Sequence, residues 1–176
     1  MQATAEETMT EVEDTEAKIV AALETVFAAD GEQWLSRPFF TGRVKEVLGA
    51  LGHELGFEVA CHKSDYPRGG REWLYDMTWY VLDKTKGGML MRQPMVLESE
   101  WEIKNRDDDF QKLVQARADV RVWLFTAANA QEIDNYIARC RDQAQSFAGR
   151  QPGDRYVFTG FDFQKKVFAP VQTFRV

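Results

Sequence analysis

Histidine and cysteine are scarce in this chain, with two of each among 176 residues. Cys61 and Cys140 lie far apart, and no Cys-x-x-Cys occurs, so neither a zinc site nor a disulfide framework is indicated. Both read as buried or idle thiols. No stretch reaches the roughly 18 apolar residues that a membrane span needs. The N-terminus also lacks the basic and apolar regions of a signal peptide, so a cytoplasmic location without membrane contact is the expectation. An excess of positive charge is missing too: 22 Lys and Arg stand against 28 Asp and Glu, a net of −6. That balance excludes a histone-like, purely electrostatic nucleic-acid binder. Repeats, low-complexity tracts and an interdomain linker are absent. With 44% hydrophobic and 28% charged residues, the expectation is one folded domain over residues 1–176.

The charge is unevenly placed. Residues 1–16 contain six acids (Glu6, Glu7, Glu11, Glu13, Asp14, Glu16) and no base, which leaves 22 acids against 22 bases in the body. The acidic segment reads as a solvated helix start or frayed terminus, favoured by the positive end of the following helix. That helix is expected over 14–29, where Ile19, Val20, Leu23, Val26 and Phe27 recur at three- and four-residue steps, and it should end near Asp30-Gly31.

A second helix is expected over 40–55, with Val44, Val47, Leu48, Leu51 and Leu55 on one stripe. Extended segments follow at 57–62, 73–82 and 89–101, the last two joined through Lys84-Thr85-Lys86-Gly87-Gly88, a hairpin signal. A helix bearing Phe110, Leu113 and Val114 comes next, which an Asp of the Asp107–Asp109 run can cap. Then come a strand at 120–125, a long helix at 128–147 and alternating runs at 156–163 and 167–174. Hairpin-linked strands followed by strand–helix alternation predict an α/β fold with a mixed central β-sheet flanked by helices. Trp73, Trp79, Trp101 and Trp123, at strand positions, are expected in the core.

The chemistry is carried by acids inside these strands. In Leu97-Glu98-Ser99-Glu100-Trp101 the side chains alternate, so Glu98 and Glu100 share one face. The neighbouring segment Trp73-Leu74-Tyr75-Asp76-Met77-Thr78-Trp79-Tyr80 carries Asp76, a residue type depleted in strands. Pairing of the two segments with Asp76 beside Glu98 would bring three carboxylates together, and they would repel unless a proton or cation intervened. Oxygen ligands without thiolate or imidazole point to Mg2+ or Mn2+, which can present water to a phosphodiester.

Asp76 followed by Glu98-x-Glu100, on the second and third strands after a helix, resembles the PD-(D/E)XK nuclease superfamily with its restriction-endonuclease-like fold. Leu97–Trp101, Asp109-Phe110-Gln111-Lys112-Leu113 and Val120–Phe125 look like the core of uncharacterised bacterial members, and the likeness runs over residues 40–125. The resemblance implies an Mg2+-dependent DNA nuclease in which Asp76 and Glu98 hold the metal, helped by the Ser99 carbonyl. Most of the superfamily has Lys where this chain has Glu100. The departure leaves open a base, a second-metal ligand or lost catalysis, with Lys112 on the following helix as the alternative lysine. A catalytically inert binding module is therefore the competing reading. The first core helix often adds an acid, for which Glu54 is a better candidate than Glu46. DNA is the implied substrate, and a homodimer remains open.

The loop Lys63–Arg71 has three bases, an aromatic and glycines just before Asp76, so Lys63, Arg68 and Arg71 are candidates to hold a phosphate backbone. Its alternative is a plain polar loop. Lys84, Lys86, Arg92, Lys104 and Arg106 are expected to add to a local positive patch, and His53 and His62 are assigned nothing.

Overall fold

The computed structural model describes residues 5–29 and 37–176, with side chains over 9–28 and 41–176. The elements in chain order are α1 (Ala5–Ala29), α2 (Arg37–Glu54), β1 (Glu58–Cys61), β2 (Met77–Asp83), β3 (Met89–Glu100), α3 (Arg106–Gln115), β4 (Val120–Ala127), α4 (Ala130–Ser146), β5 (Arg155–Asp162), β6 (Val167–Phe168) and β7 (Gln172–Arg175). The sheet runs β1-β2-β3-β4-β5-β6, and β7 also pairs with β5. β1, β2 and β3 are antiparallel, whereas β3, β4 and β5 are mutually parallel. The result is an α/β fold with a mixed sheet flanked by helices.

Strand alternation sends two sets of side chains to opposite faces. Met77, Trp79, Met95, Leu97, Val122 and Leu124 meet Ile19 and Leu23 of α1 and Val44 and Leu48 of α2. Val96, Trp123, Phe125 and Phe158 meet Phe110 and Leu113 of α3 and Ile133, Tyr136 and Ile137 of α4. The central strands β4 and β5 are buried along their whole length, as strands covered on both faces should be.

Several sequence expectations need correction. The acidic N-terminal segment, over its described residues, is a solvated helix start, one of its two readings, rather than a frayed end: α1 begins at Ala5, and Glu11, Glu13 and Asp14 are exposed. Glu11 pairs with Arg92, Glu13 with Arg155 and Arg175, and Glu16 with Arg155. The helix is tied to arginines more than 80 residues away in sequence, a signal that local periodicity does not contain. Residues 1–4 and the expected stop at Asp30-Gly31 lie outside the described residues. The run at 167–174 divides into β6 and β7, with Pro170 in the connection. No Asp caps α3. Its N-cap is Asn105, which makes no side-chain cap bond, and Asp107–Asp109 occupy the first turn instead, where they favour the positive end of the helix dipole.

The expected positive patch does not form from the five named bases. Arg106 is buried, donating to the Thr126 carbonyl and to Glu132, with its guanidinium 4.2 Å from the Tyr136 ring centroid. Arg92 pairs with Asp119 and Glu11, Lys84 with Glu58, Lys86 with Asp83 and Lys104 with Glu102. Cys61 and Cys140 are buried free thiols, as expected, and burial pushes both up to about 12. Among the described residues no helix is long and apolar enough to cross a membrane.

Glycines set how closely α2 lies on the sheet. A Cβ on Gly49 would come within 2.6 Å of the Tyr66 ring, and one on Gly52 within 2.6 Å of Trp79 Nε1. Alanine is the better helix former by about 1 kcal/mol. Gly52→Ala is nonetheless expected to destabilise the protein, because Trp79 is fully buried and has nowhere to retreat. A net loss of about 1–3 kcal/mol should appear in urea denaturation.

Candidate active site

β2 starts one residue after Asp76, not at Trp73 as the sequence pattern predicts. The cause is local. Tyr75 N–H donates to the Trp73 carbonyl at 2.8 Å across a three-residue turn, and Leu74 at its centre sits at φ +63°. That conformation is rare for a large side chain and interrupts the extended run. Asp76 therefore enters the sheet from a bend.

The pairing that follows brings the backbone at the two acids together. Met77 faces Leu97 and Thr78 faces Val96, so continuing the antiparallel register brings Asp76 opposite Glu98. Asp76 Oδ2 accepts from the Ser99 backbone N–H at 2.9 Å and from the Ser99 hydroxyl at 2.7 Å. Its Oδ1 lies 3.5 Å from Lys45 Nζ.

Glu98 projects from the same face as Val96 and lies beside Trp123 of β4. It is only 4% exposed, and its Oε1 has no hydrogen-bond partner among the described residues. Lys112 Nζ stands 3.5 Å from that oxygen, at ion-pair range but outside hydrogen-bond alignment, and is held by Asp109 at 2.6 Å. Burial pushes the Glu98 carboxyl up to about 8; the nearby charge of Asp76 adds to the rise, and Lys112 opposes it. Burial alone would lower Lys112, but Asp109 and Glu98 outweigh it and hold the ammonium above its ordinary value. Burial and the Glu98 charge likewise raise the Tyr75 phenol.

Glu100 shares the Glu98 face, as expected, and is buried, but its Oε1 accepts the Glu102 N–H at 2.6 Å. Among the described residues no group of three or more His, Cys, Asp or Glu side chains is placed to hold a metal ion. The expected convergence of three carboxylates is thus not seen: Asp76 is held by Ser99 and Lys45, Glu98 faces Lys112, and the two acids act on each other through their charges.

Glu54 is not brought to this site. It is exposed at the last residue of α2, nine residues and so about 13 Å of helix away from Lys45. Glu46 is exposed and paired with Arg43. The residue that α2 does contribute is Lys45, which sequence reasoning missed. Lys45 is 3% exposed and donates to Asp65 Oδ2 at 2.9 Å. Burial by itself would lower this lysine, but Asp76 and Asp65 outweigh it and hold the ammonium above its usual value. A signal for it existed: Lys45, Gly49 and Gly52 follow i, i+4, i+7 spacing, and so mark one helix face where small residues allow close approach.

Around Asp76 and Ser99 lies a cavity of about 350 Å3 whose walls include Lys45, His62, Asp65 and Glu72. Lys63, Arg68 and Arg71 are all exposed in the preceding loop. Lys63 and Arg71 line an adjoining cavity of about 500 Å3 that also takes in His62 and Glu72. Trp73, expected in the core, is 39% exposed at the surface.

Comparison with family models, curated proteins and solved structures gives no match. The functional reading therefore rests on the site's own chemistry. Two acids whose charges act on each other, one of them buried with an oxygen that accepts no hydrogen bond among the described residues, are suited to take up a cation or a proton. Lys112 lies on one side of them and Lys45 on the other.

Proposed function

We propose that the protein is a divalent-metal-dependent nuclease of restriction-endonuclease-like fold that hydrolyses DNA phosphodiesters. The single observation that carries this reading is the Glu98 carboxyl, 4% exposed, within range of the Asp76 charge and with an oxygen that accepts no hydrogen bond among the described residues. Burying such a group is costly unless positive charge compensates it, and Lys112 at 3.5 Å offsets the burial only in part. The order helix, three antiparallel strands, helix, parallel strand, running from α2 to β4, also supports the fold that the sequence resembles.

Asp76 and Glu98, with the Ser99 carbonyl, are the residues that would hold Mg2+ or Mn2+. Magnesium sites commonly use one or two carboxylates and complete their shell with water and substrate phosphate, so a two-acid site suffices. The bound ion would polarise the phosphate and supply an activated water. Lys112, fixed by Asp109 and half exposed, reaches the same carboxylate from the outer side. It is placed to hold a scissile phosphate oxygen or to orient the attacking water. Glu100, bound to the Glu102 amide, supports the strand end in this arrangement.

The test is cleavage of labelled DNA in Mg2+ or Mn2+ together with calorimetric titration of metal alone. Wild type is expected to cut and to bind metal, while Asp76→Ala and Glu98→Ala lose both. Full cleavage by either variant would refute the assignment. The inert-module reading is favoured by one observation, that the Asp76 carboxylate already has Ser99 and Lys45 as partners. Absence of metal binding by wild type at millimolar concentration would decide for it.

A further inference from the structure

Three cavities lie end to end around the bend that precedes β2. The largest, about 570 Å3, is walled by Ala60, Arg71, Glu72, Trp73, Leu74 and Tyr80. It shares Arg71 and Glu72 with the 500 Å3 cavity, which in turn shares His62 and Glu72 with the cavity at Asp76 and Ser99. The shared residues therefore set the aromatic chamber close to the Asp76 end of the candidate active site. The chamber also opens on the sheet face that bears Glu98, because Ala60 faces Thr78 and Thr78 faces Val96 across the strands.

Trp73 is the unusual member of that lining. It is 39% exposed, and Leu74 beside it is 73% exposed, so both present apolar surface to solvent. The backbone of Trp73 is held in place and its ring has one aromatic neighbour. Its carbonyl accepts from Tyr75 N–H at 2.8 Å and from the Thr78 hydroxyl at 3.3 Å. Its ring meets Tyr80 edge-on, with centroids 5.9 Å apart and planes at 80°. A large aromatic held in place at the surface, next to a residue with φ +63°, is a pre-organised platform. Backbone strain of this kind persists where the surroundings over-determine it, often at ligand sites.

We infer that the Trp73–Tyr80 chamber receives an unpaired nucleobase, so that the substrate engages this protein as a single-stranded segment leading into the Asp76–Glu98 site. The occupant follows from the chemistry of the wall. The indole offers a stacking face to any base. The Glu72 carboxylate can accept from an exocyclic amine, and the exposed Arg71 guanidinium can pair with the adjoining phosphate. A base inside a duplex is already stacked on both sides and cannot present its face to Trp73. Trp73 and Asp76 are three residues apart, at most about 11 Å of chain, so a base on the indole and a phosphate at the acids belong to one short stretch of strand. The inference rests on the nuclease reading for its occupant, yet it can fail or stand separately.

Fluorescence anisotropy in EDTA, where no metal-dependent cleavage occurs, tests it with a labelled single-stranded oligonucleotide and the matching duplex. Trp73→Ala is expected to weaken single-strand binding about tenfold, the loss of one stacked base, and to leave duplex binding unchanged. Trp73→Phe, which keeps an aromatic face, should recover most of the affinity. Arg71→Ala should lower the salt slope by about one phosphate contact. Thermal melts of each variant establish that it is folded. If Trp73→Ala leaves single-strand affinity intact while wild type cuts DNA in Mg2+, the chamber inference is wrong and the nuclease reading survives. If wild type cuts nothing but binds single strands through Trp73, the chamber stands and the nuclease reading falls. Failure of wild type to bind single strands at all overturns the inference.

Discussion

Glu98→Gln is expected to make the metal-free protein more stable at pH 8, by several kcal/mol, while removing its metal-dependent cleavage. The Glu98 carboxyl is raised to about 8, first by burial and then by the charge of Asp76. The folded state therefore holds this proton more tightly than the unfolded chain does, whose glutamate titrates at its ordinary value. Between those two values unfolding releases a proton, and stability falls as pH rises, by up to about 1.4 kcal/mol per pH unit. The favourable contribution is fully present below the unfolded value and is lost as pH passes through about 8.

Glutamine has nearly the same shape and never ionises, so this slope should vanish in the variant. Urea denaturation of both proteins at pH 5 and pH 8, in EDTA, measures the difference. Near-equal stability at pH 5 and a clear advantage for the variant at pH 8 is the expected pattern, and parallel pH profiles would contradict it. A divalent ion should narrow the gap at pH 8. Manganese at a hundred times its dissociation constant would stabilise wild type by about 2.7 kcal/mol, and Glu98→Gln much less. Function and stability oppose each other at this residue, because an acid poised for a cation is a burden without one.

Lys45→Met should be the more damaging change. Lys45 is 3% exposed and lies 2.9 Å from Asp65 and 3.5 Å from Asp76. Methionine fills much of the same volume, so the effect isolates the charge. Two carboxylates would then face one cavity without their shared cation. Removing one partner of a buried pair typically costs 3–5 kcal/mol, and the partial exposure of the two acids, 23% and 24%, places the expected loss near the lower figure.

The pH dependence carries its own sign. Burial alone would raise Asp65, but its bond to Lys45 outweighs this and holds the carboxyl below the ordinary value. That stabilisation is present at neutral pH and is lost as pH falls through the depressed value. The gap between wild type and Lys45→Met is thus expected to be wide at pH 7 and to narrow in acid. Adding Asp65→Asn to Lys45→Met should restore part of the loss. A Lys45→Met cost below 1 kcal/mol at pH 7 would show that the lysine is dispensable.

Lys45 also shows where the sequence stops being informative. Its neighbours Val44 and Leu48 fall on an apolar stripe that periodicity identifies at once. Gly49 and Gly52 on its face signal a close approach, yet a lysine beside that stripe still reads as solvent-facing, since long charged side chains are seldom buried without a partner. The partners, Asp65 and Asp76, come from the loop before β2 and from the bend at Leu74, and no pattern within α2 records them. The reverse holds for Glu54, which local helical spacing favoured but which tertiary packing leaves at the exposed end of α2. The N-terminal acids follow the same rule, because the arginines that hold Glu11, Glu13 and Glu16 lie on β3, β5 and β7. Trp73 differs again: a strand-like run of apolar residues carried it toward the core, and a single left-handed residue turned it outward.

What the sequence determined by itself was most of what depends on period and turn chemistry. Alternation in β3 put Glu98 and Glu100 on one face, the three- and four-residue steps gave the helices, and the Lys84–Gly88 turn paired β2 with β3. These are local consequences of backbone geometry, in which the side-chain direction repeats every 2 or 3.6 residues. The tertiary structure alone decided which charges meet. It sent the Asp76 carboxylate to Ser99 and Lys45, Glu100 to the Glu102 amide, and Lys112 to Glu98. Such contacts form between segments brought together by burial of the two apolar faces of the sheet, and their geometry is fixed only once that packing is complete.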